Sequence, residues 1–335
     1  MAKFPKLTVF FLGLVFPLAA FAGGLSHRGE NLAHASFEDK NLTGTKFLSC
    51  RLDGAQFENA SGSGISFKGS AGDGIRFFSA SFTGANFKGT AFRNANFRMS
   101  GLQDVTFRGA VLDASHFDHA VLWKVSFASA SLIKASFAET KFAGKMDFSE
   151  ANLEDAVFSN GSLEGTDFGR ARFRNARFKD VKFDHSDFRE AVFDQTSLAG
   201  CGFSDADLRR ASGRKADFTS GNFVEADLRR FKCEECLFNR AEFRYARMTE
   251  AGFRNAEFKD ASFRDLEIED VDFRGAVFTS ADFTEASVSS CDFSGANLSG
   301  VLWDAKKLYK NYYNDQTRFP PGYVPSPRQM RRVPR

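Results

Sequence analysis

The sequence has few of the residues that usually carry catalysis or bind metal ions. Its 335 residues include only five His and five Cys, and the histidines are scattered along the chain. The short motifs of hydrolases, nucleotide-binding proteins and zinc proteases do not occur. The sequence therefore gives no support to an enzyme, and we expect neither a cofactor nor a metal site.

Long apolar stretches are missing everywhere except at the N-terminus. Lys3 and Lys6 precede an apolar run, Leu7–Ala20, and an Ala-x-Ala pattern ends at Ala22. These features are typical of a secretory signal peptide, and the run is shorter than the about 20 residues that span a bilayer. We predict that residues 1–22 are removed and that the protein is periplasmic or secreted. The alternatives are the thylakoid lumen or an uncleaved N-terminal anchor, and nothing later in the chain could cross a membrane.

A strong excess of charge is also absent, since 45 Lys and Arg stand against 42 Asp and Glu. The small excess is unevenly placed, because eight basic and only two acidic residues lie from Asp304 onward. A basic tail of this kind can contact anionic lipid, a polyanion or an acidic partner.

What the sequence has in excess is phenylalanine, with 42 Phe against five Tyr and two Trp. Most of these Phe belong to one register, in which a large apolar residue recurs at every fifth position from Leu32 to Leu308. A period of five fits neither a helix nor a half-buried strand, so it indicates an array of repeats. We call the recurring apolar residue the central residue of its five-residue unit.

Each unit also carries a small residue two positions before the central residue, as at Ala85, Ala95 and Ala241. The other three positions are polar or charged. Such a unit cannot bury its apolar side alone and must stack on copies of itself. Turns at every unit leave no room for helices, so we expect parallel strand-like pairing between successive coils, with right-handed winding.

Ala85–Gly89, Ala206–Arg210 and Ala296–Gly300 follow the pattern A-(D/N)-(L/F)-x-x. Over residues 30–308 the chain resembles the pentapeptide-repeat family. The resemblance implies an all-β fold, a right-handed quadrilateral parallel β-helix with four units per coil. The array would then form about 14 coils and a rod about 67 Å long, at about 4.8 Å per coil.

We divide the chain into a signal peptide (1–22), an N-terminal lead-in (23–31), the β-helix (32–308) and a C-terminal cap with a basic disordered tail (309–335). One additional residue lies between the central residues Phe142 and Phe148, so we predict a bulge or kink at 143–147. Three central positions hold glycine, at Gly62, Gly72 and Gly213, and we predict a local distortion or small cavity around residues 61–74.

The C-terminal end of the array must be covered, because an open coil would expose apolar surface. We predict a short cap helix over residues 304–314, and disorder from Pro325 onward. Thr317–Tyr323 resembles the T-x-F-P-x-G-F segment that often closes arrays of this family. Some relatives dimerise through C-terminal aromatic residues, so a homodimer is an alternative use of the aromatic cluster. The cluster consists of Trp303, Leu308, Tyr309, Tyr312, Tyr313 and Phe319.

The five cysteines fall on the inward positions of the repeat: Cys50, Cys201, Cys233, Cys236 and Cys291. We interpret them as small buried hydrophobic residues. Cys233 and Cys236 form the only C-x-x-C pair, and a disulfide across one corner is the alternative there. Zinc would need two further ligands, which the neighbouring sequence lacks.

One column of charged residues stands out when the chain is written in coils of twenty. An aspartate precedes the central residue in five successive coils, and arginines follow it in three of them. We call this set the Asp–Arg face, and it consists of Asp147, Asp167, Asp187, Asp207, Asp227, Arg189, Arg209, Arg210, Arg229 and Arg230. Stacked like charges repel, so the arginines are expected to neutralise the aspartates in a self-paired ladder. The alternatives are a partner-binding face and, less in keeping with a flat column, a calcium site at Asp147–Asp167.

These features predict a non-catalytic, exported rod that serves a structural role or binds an unknown protein or polymer. Some family members imitate DNA and bind DNA gyrase, which is an alternative if the chain is cytosolic. A surface or secreted effector scaffold is another. The repeat body carries a charge of only about −5, whereas B-DNA has one charge per about 1.7 Å, so we expect no role with nucleic acid.

Overall fold

The structure is a computed structural model that describes residues 24–304 and 307–334. These residues wind into an all-β parallel solenoid of about 15 turns and contain no α-helix. The predicted signal peptide lies outside the described residues. Within the described part of the chain, no helix has the length and apolar character needed to cross a bilayer.

Each turn takes twenty residues, as the five-residue period predicted. Ser81–Thr83 pairs in parallel with Gly101–Gln103, and Gly101–Gln103 pairs in turn with Val121–Trp123. Single parallel bridges with the same offset, such as Asn86↔Thr106, connect the sides between the named strands. Four units therefore complete one turn, and each side of the solenoid is a ladder that runs along its axis.

Most strands are only two or three residues long, because the chain turns at every unit. In chain order the strands are β1 (Ser26–Arg28), β2 (Lys46–Leu48), β3 (Ser61–Ser63), β4 (Ala71–Asp73), β5 (Ser81–Thr83), β6 (Ala91–Arg93), β7 (Gly101–Gln103), β8 (Val121–Trp123), β9 (Ser136–Ala138), β10 (Lys141–Ala143), β11 (Val157–Ser162), β12 (Arg177–Lys182), β13 (Ser212–Arg214), β14 (Lys232–Glu234), β15 (Glu267–Glu269), β16 (Asp282–Phe283), β17 (Ser287–Ser289), β18 (Leu302–Trp303), β19 (Leu308–Tyr309), β20 (Asn311–Tyr313) and β21 (Met330–Arg332).

The unit around Phe107 shows how one side is made. The Phe107 N–H donates to the Ser126 carbonyl in the next turn at 2.7 Å, and the Phe107 carbonyl accepts the Ala110 N–H at 2.9 Å across the corner. Gly109, two residues after the central residue, has φ +64°. This corner position is left-handed throughout the solenoid, which explains why Gly, Asn and Asp are common there.

The axis of the solenoid is filled by stacked phenylalanine rings. Phe87, Phe107 and Phe127 lie one above another, with ring centroids 4.6 and 5.0 Å apart and nearly parallel planes. Phe117, on the opposite side, meets Phe107 edge to face at 5.9 Å and 86°. All four rings are fully buried. The predicted stack of rings along the axis is confirmed, and its two contact geometries are those that aromatic pairs prefer.

The glycines at central positions allow neighbouring turns to come unusually close. A Cβ on Gly72 would lie 2.6 Å from the Leu52 carbonyl carbon, and one on Gly62 would lie 2.6 Å from the Thr43 nitrogen. The distortion predicted for residues 61–74 therefore takes the form of a close backbone approach, which only glycine permits. Gly213 lies directly beneath Cys233, as the register predicted.

The additional residue at 143–147 interrupts one side of the solenoid. Lys141–Ala143 pairs with Val121–Trp123 of the preceding turn. Toward the following turn no described strand continues this ladder. The other sides continue with an offset of twenty-one, as in Ser126↔Asp147. The chain between the central residues Phe142 and Phe148 bulges outward, with Ala143 and Gly144 exposed.

The solenoid begins earlier than residue 32, inside the segment assigned as a lead-in. Ser26–Arg28 pairs with Lys46–Leu48, so His27 occupies a central position. Its ring stacks on Phe47 at 5.2 Å and 9°. A polar aromatic side chain suits this first described turn, where His27 is partly exposed and its Nδ1 lies 2.8 Å from Glu30 Oε2. This turn and the C-terminal segments explain why the solenoid has about one more turn than predicted.

The predicted cap helix is wrong. Within residues 304–314, those that the structure describes form strands β19 and β20 instead. Val288↔Leu308 and Asp292↔Tyr312 keep the twenty-residue offset, so the chain continues to wind. A further turn is favoured over a helix because it pairs the backbone N–H and C=O groups of the last coil. A helix laid across the end would leave those groups unpaired.

The tail from Pro325 onward is not wholly disordered, in contrast to our prediction. Met330–Arg332 forms a strand parallel to Asn311–Tyr313, and Met330 is buried. The aromatic cluster packs within the chain, where Phe319 meets Tyr313 at 5.3 Å and Tyr323 at 5.5 Å. The C-terminus thus covers the last turn with a strand and aromatic side chains.

The cysteines are buried, as predicted, but two of them are joined. Cys233 and Cys236 form a disulfide with a Cα–Cα distance of 5.6 Å, so our preferred reading of two free thiols is wrong there. A central residue and the small residue of the next unit both point inward and meet at the corner between them. Cys50, Cys201 and Cys291 are free. Burial raises the pKa of the Cys201 and Cys291 thiols to about 12, which makes them unreactive.

Candidate interaction face

The five aspartates of the Asp–Arg face form one continuous column. Parallel bridges connect Asp147 to Asp167, Asp167 to Asp187, Asp187 to Asp207 and Asp207 to Asp227. Since strands in a ladder are about 4.8 Å apart, neighbouring carboxylates would repel one another without compensation.

Three arginines supply that compensation from the same turns. Arg209 donates from Nε to Asp207 Oδ1 at 2.8 Å and from Nη2 to Oδ2 at 2.6 Å. Its Nε also lies 3.7 Å from the Asp227 carboxylate of the next turn. Arg189 forms the same bidentate ion pair with Asp187, and Arg229 forms it with Asp227. The self-paired ladder expected from the sequence is therefore present in the turns of Asp187, Asp207 and Asp227.

The aspartates are placed by the local backbone rather than by the arginines. The N–H of the residue after the central residue has no carbonyl partner in the ladder. Asp207 Oδ1 accepts the Arg209 N–H at 3.1 Å, and Asp187 Oδ1 accepts the Arg189 N–H at 2.9 Å. The same arrangement recurs at Asp272 and Arg274, which lie outside this face. An Asp-x-Arg sequence in this fold thus forms an ion pair wherever it occurs.

In the pairs Asp187–Arg189 and Asp227–Arg229, both members are charged at neutral pH. Burial alone would raise the pKa of Asp187 and Asp227, but hydrogen bonds from Arg189 and Arg229 outweigh it and hold these pKa values below the usual range. The pKa of Arg209 is raised, mainly because Asp207 accepts its hydrogen bonds. The ladder is therefore a neutralised strip of alternating charge.

The first two aspartates of the column have no arginine beside them. Asp147 accepts hydrogen bonds from the Ser126 hydroxyl at 2.9 Å and the Ser149 hydroxyl at 2.7 Å. Asp167 accepts the Gly169 N–H at 2.9 Å. Among the described residues, no group of three or more His, Cys, Asp or Glu side chains is placed to hold a metal ion.

Arg210 and Arg230 lie at the neighbouring corner, in a second column with Glu190 and Glu250. Arg230 donates to both oxygens of Glu250, at 2.8 and 3.1 Å. Glu190 accepts instead from Arg170 at 3.0 Å. Arg210 lies between them and has no ion pair within the described chain. The two glutamates were missed in the sequence, although the twenty-residue period applied to the corner positions would have found them.

An open cleft of about 530 Å³ separates the two columns. Its walls carry more arginine than any other residue type, and Thr249 closes one end. The residues that line the cleft are Arg189, Glu190, Arg209, Arg210, Arg229, Arg230, Thr249 and Glu250. The structure therefore brings all five predicted arginines together, whereas Asp147 and Asp167 lie beyond the cleft.

Among solved structures, a trypsin-treated form of QnrB1, a plasmid-mediated fluoroquinolone resistance protein, is 20% identical (TM-score 0.36) over 59% of this chain and 92% of its own. HetL, a pentapeptide repeat protein involved in heterocyst differentiation regulation from the cyanobacterium Nostoc sp., is 21% identical (TM-score 0.27) over 68% and 86%. A pentapeptide repeat protein from the Arabidopsis thaliana thylakoid lumen is 24% identical (TM-score 0.13) over 30% and 67%. A search of curated proteins found no match.

Family models match most of the repeat array. The model of a pentapeptide repeat region matches residues 40–117 and 110–188. The model of eight-copy pentapeptide repeats matches five overlapping segments: 176–212, 191–230, 222–260, 236–275 and 261–300. The two models thus cover residues 40–300 without a gap. The chain belongs to the pentapeptide-repeat family.

Proposed function

We propose that the protein is an exported, non-catalytic rod that binds a protein or polymer partner through the Asp–Arg face. The observation that carries this proposal is the cleft, where arginines from successive turns converge on open space. If the face served stability alone, the three arginines that pair with aspartate would be sufficient. In the second column Arg230 is paired with Glu250, whereas Arg210 adds a positive charge that no ion pair of the described chain uses.

Export is supported by the signal-like N-terminus and by the disulfide. Structural disulfides are rare in the reducing cytosol and common in the periplasm and outside the cell. The pairing of Cys233 with Cys236 fits the oxidising side. The gyrase-binding alternative requires a cytosolic chain and an acidic surface, whereas this face carries as many arginines as aspartates.

Expression of the full chain in a bacterial host should yield a mature protein in the periplasm or medium that begins directly after Ala22. N-terminal sequencing and intact mass measure this directly. A variant with charged residues in place of Leu12 and Leu14 should remain uncleaved in the cytosol, since it loses the apolar core of the signal. A cytosolic wild-type chain that still begins at Met1 would contradict export and revive the gyrase-binding alternative.

Partner capture by the mature rod should fall about tenfold in the double variant Arg209→Gln, Arg229→Gln, since each arginine offers charged hydrogen bonds to a ligand. The comparison is quantitative capture from periplasmic extract, with partner bands measured against rod concentration. Arg274→Gln is the matched control, because Arg274 makes the same pair with Asp272 outside the face. Equal capture by the double variant and the control, with both correctly folded, would exclude the face.

A further inference from the structure

We infer that the cleft of the Asp–Arg face is an anion site, centred on Arg210, that binds a phosphoryl or sulfuryl group. The inference names the chemistry of the partner and so rests on the proposed function. The group could belong to a soluble ester or to a lipid head group, and the recognition chemistry is the same in both.

The two walls of the cleft are matched turn by turn. One wall presents the side chains that follow the central residues, and the other presents the corner side chains. The two middle turns place arginine on both walls, as Arg209 with Arg210 and Arg229 with Arg230. The outer turns place Glu190 and Glu250 at the corner, so acidic residues bound the positive centre at each end.

The positive charge at the centre is not fully compensated. Arg209 and Arg229 are held by their aspartates, and Arg230 is held by Glu250. Arg210 has no carboxylate partner in the described chain, because its neighbour Glu190 pairs with Arg170. Arg210 is exposed and lies one turn before Arg230 in the corner column, so an anion placed between the walls would relieve like-charge repulsion.

The arginines that are already paired retain donors for a ligand. Arg209 and Arg229 use Nε and Nη2 for their aspartates, which leaves Nη1 of each for another acceptor. An arginine has five N–H donors in a fixed planar arrangement that matches oxyanions. The aspartates thus orient two guanidinium groups along one wall while Arg210 on the other remains unpaired.

The geometry favours a tetrahedral oxyanion over a carboxylate. The donors come from two walls and from two turns about 4.8 Å apart, so they approach a bound group from several directions. A phosphoryl or sulfuryl group has three free oxygens that point in different directions. A carboxylate has two oxygens in one plane and can satisfy one guanidinium group fully.

The cleft is not a general consequence of the Asp-x-Arg ladder. The second ladder of this kind, at Asp272 and Arg274, has Gly275 and Gly295 at the neighbouring corner positions. Because glycine has no side chain, the wall that corner side chains form beside the Asp–Arg face is absent at the second ladder. Of the four Asp-x-Arg segments in the chain, only those at 207–209 and 227–229 are followed by an arginine at the corner.

Isothermal titration of the mature rod at low ionic strength tests the site, with inorganic phosphate, sulfate and acetate as probes. We expect saturable binding of phosphate and sulfate, and binding of acetate that is about tenfold weaker. Arg210→Gln should weaken phosphate binding about tenfold, because it removes the unpaired guanidinium. Gln195 occupies the same kind of left-handed corner position, so glutamine is compatible with the fold there.

Arg240→Gln is the matched control, since Arg240 is also an exposed corner arginine with φ +59° and lies on another side of the rod. It should leave phosphate binding unchanged. Equal loss in both variants, unchanged binding in Arg210→Gln, or acetate binding as tight as phosphate binding would each overturn the site.

Glycerol 3-phosphate and phosphatidylglycerol vesicles distinguish the two sources of the group. Binding of the soluble ester alone assigns a soluble ligand, and vesicle binding that Arg210→Gln abolishes assigns a lipid head group. If no anion binds but partner capture still depends on Arg209 and Arg229, this inference fails while the proposed function stands. If anions bind as expected but capture is insensitive to Arg209 and Arg229, the proposed partner face fails instead.

Discussion

Phe107→Ala is expected to lower the free energy of unfolding of the turns around it by about 3–5 kcal/mol. Phe107 is fully buried between Phe87 and Phe127, and it also meets Phe97 edge to face at 5.4 Å. Its removal leaves a cavity that the stacked rings on either side cannot fill, because their positions are fixed by their own ladders. The effect should be local, since each turn contacts only its neighbours.

Hydrogen exchange measured by mass spectrometry reads this effect turn by turn. Amides of residues 87–127 should exchange faster by about a hundredfold or more, while those of residues 240–300 should change little. Phe78→Ala is the matched control, because Phe78 is 38% exposed and should cost no more than about 0.5 kcal/mol. Equal effects of the two substitutions, or equal acceleration along the whole rod, would contradict the stacked core.

Gly72→Ala is the second substitution with a large expected effect, a loss of about 3 kcal/mol. The new Cβ would lie 2.6 Å from the carbonyl carbon and 2.8 Å from the carbonyl oxygen of Leu52. These are backbone atoms, so two turns must separate to make room. The hydrogen bond from the Leu52 N–H to the Ala71 carbonyl, now 2.7 Å, would lengthen.

Gly101→Ala is the control for this substitution. Gly101 also belongs to a short strand, but a Cβ there would find only the Ser81 hydroxyl, at 3.8 Å. We expect it to be neutral or to stabilise the rod slightly, since alanine restricts the unfolded chain more than glycine does. Thermal unfolding followed by circular dichroism compares the two variants. A Gly72→Ala rod as stable as the Gly101→Ala rod would show that the close approach is not a constraint.

The repeat made most of the fold predictable from the sequence. One large apolar residue per five positions determines which side chains point inward, and only a stack of turns can bury them all. The positions of Phe87, Phe107 and Phe127 therefore followed from counting. The additional residue near Gly144 was equally predictable, because it lengthens the spacing between two central residues from five to six.

The ends were harder to predict because they depend on tertiary pairing rather than on the repeat. Met330–Arg332 has no repeat signature, and it pairs with Asn311–Tyr313 because the last turn offers unpaired backbone groups. The disulfide was weighed but not preferred, since the sequence alone does not give the distance between two inward side chains across a corner. That distance is a property of the corner geometry around Cys233 and Cys236.

The candidate site was predictable in part. The Asp column and the arginines beside it follow from the twenty-residue turn, and their ion pairs follow from the Asp-x-Arg motif. The lack of a carboxylate partner at Arg210 could not be predicted, because it depends on which arginine forms the ion pair with Glu190. Arg170 and Arg210 are both one turn away from Glu190, and the choice of Arg170 is a matter of side-chain conformation.

The break in the ladder at Lys141–Ala143 has a mechanical consequence. Hydrogen bonds between successive turns share a stretching load in series, so the layer with the fewest bonds determines the force that the whole molecule withstands. We expect a pull on both ends to part first the layers that meet at residues 143–147, where one side has no strand pairing to the following turn in the described chain. The two halves would still be folded at that point, so the rod has a built-in place to yield before its core is exposed.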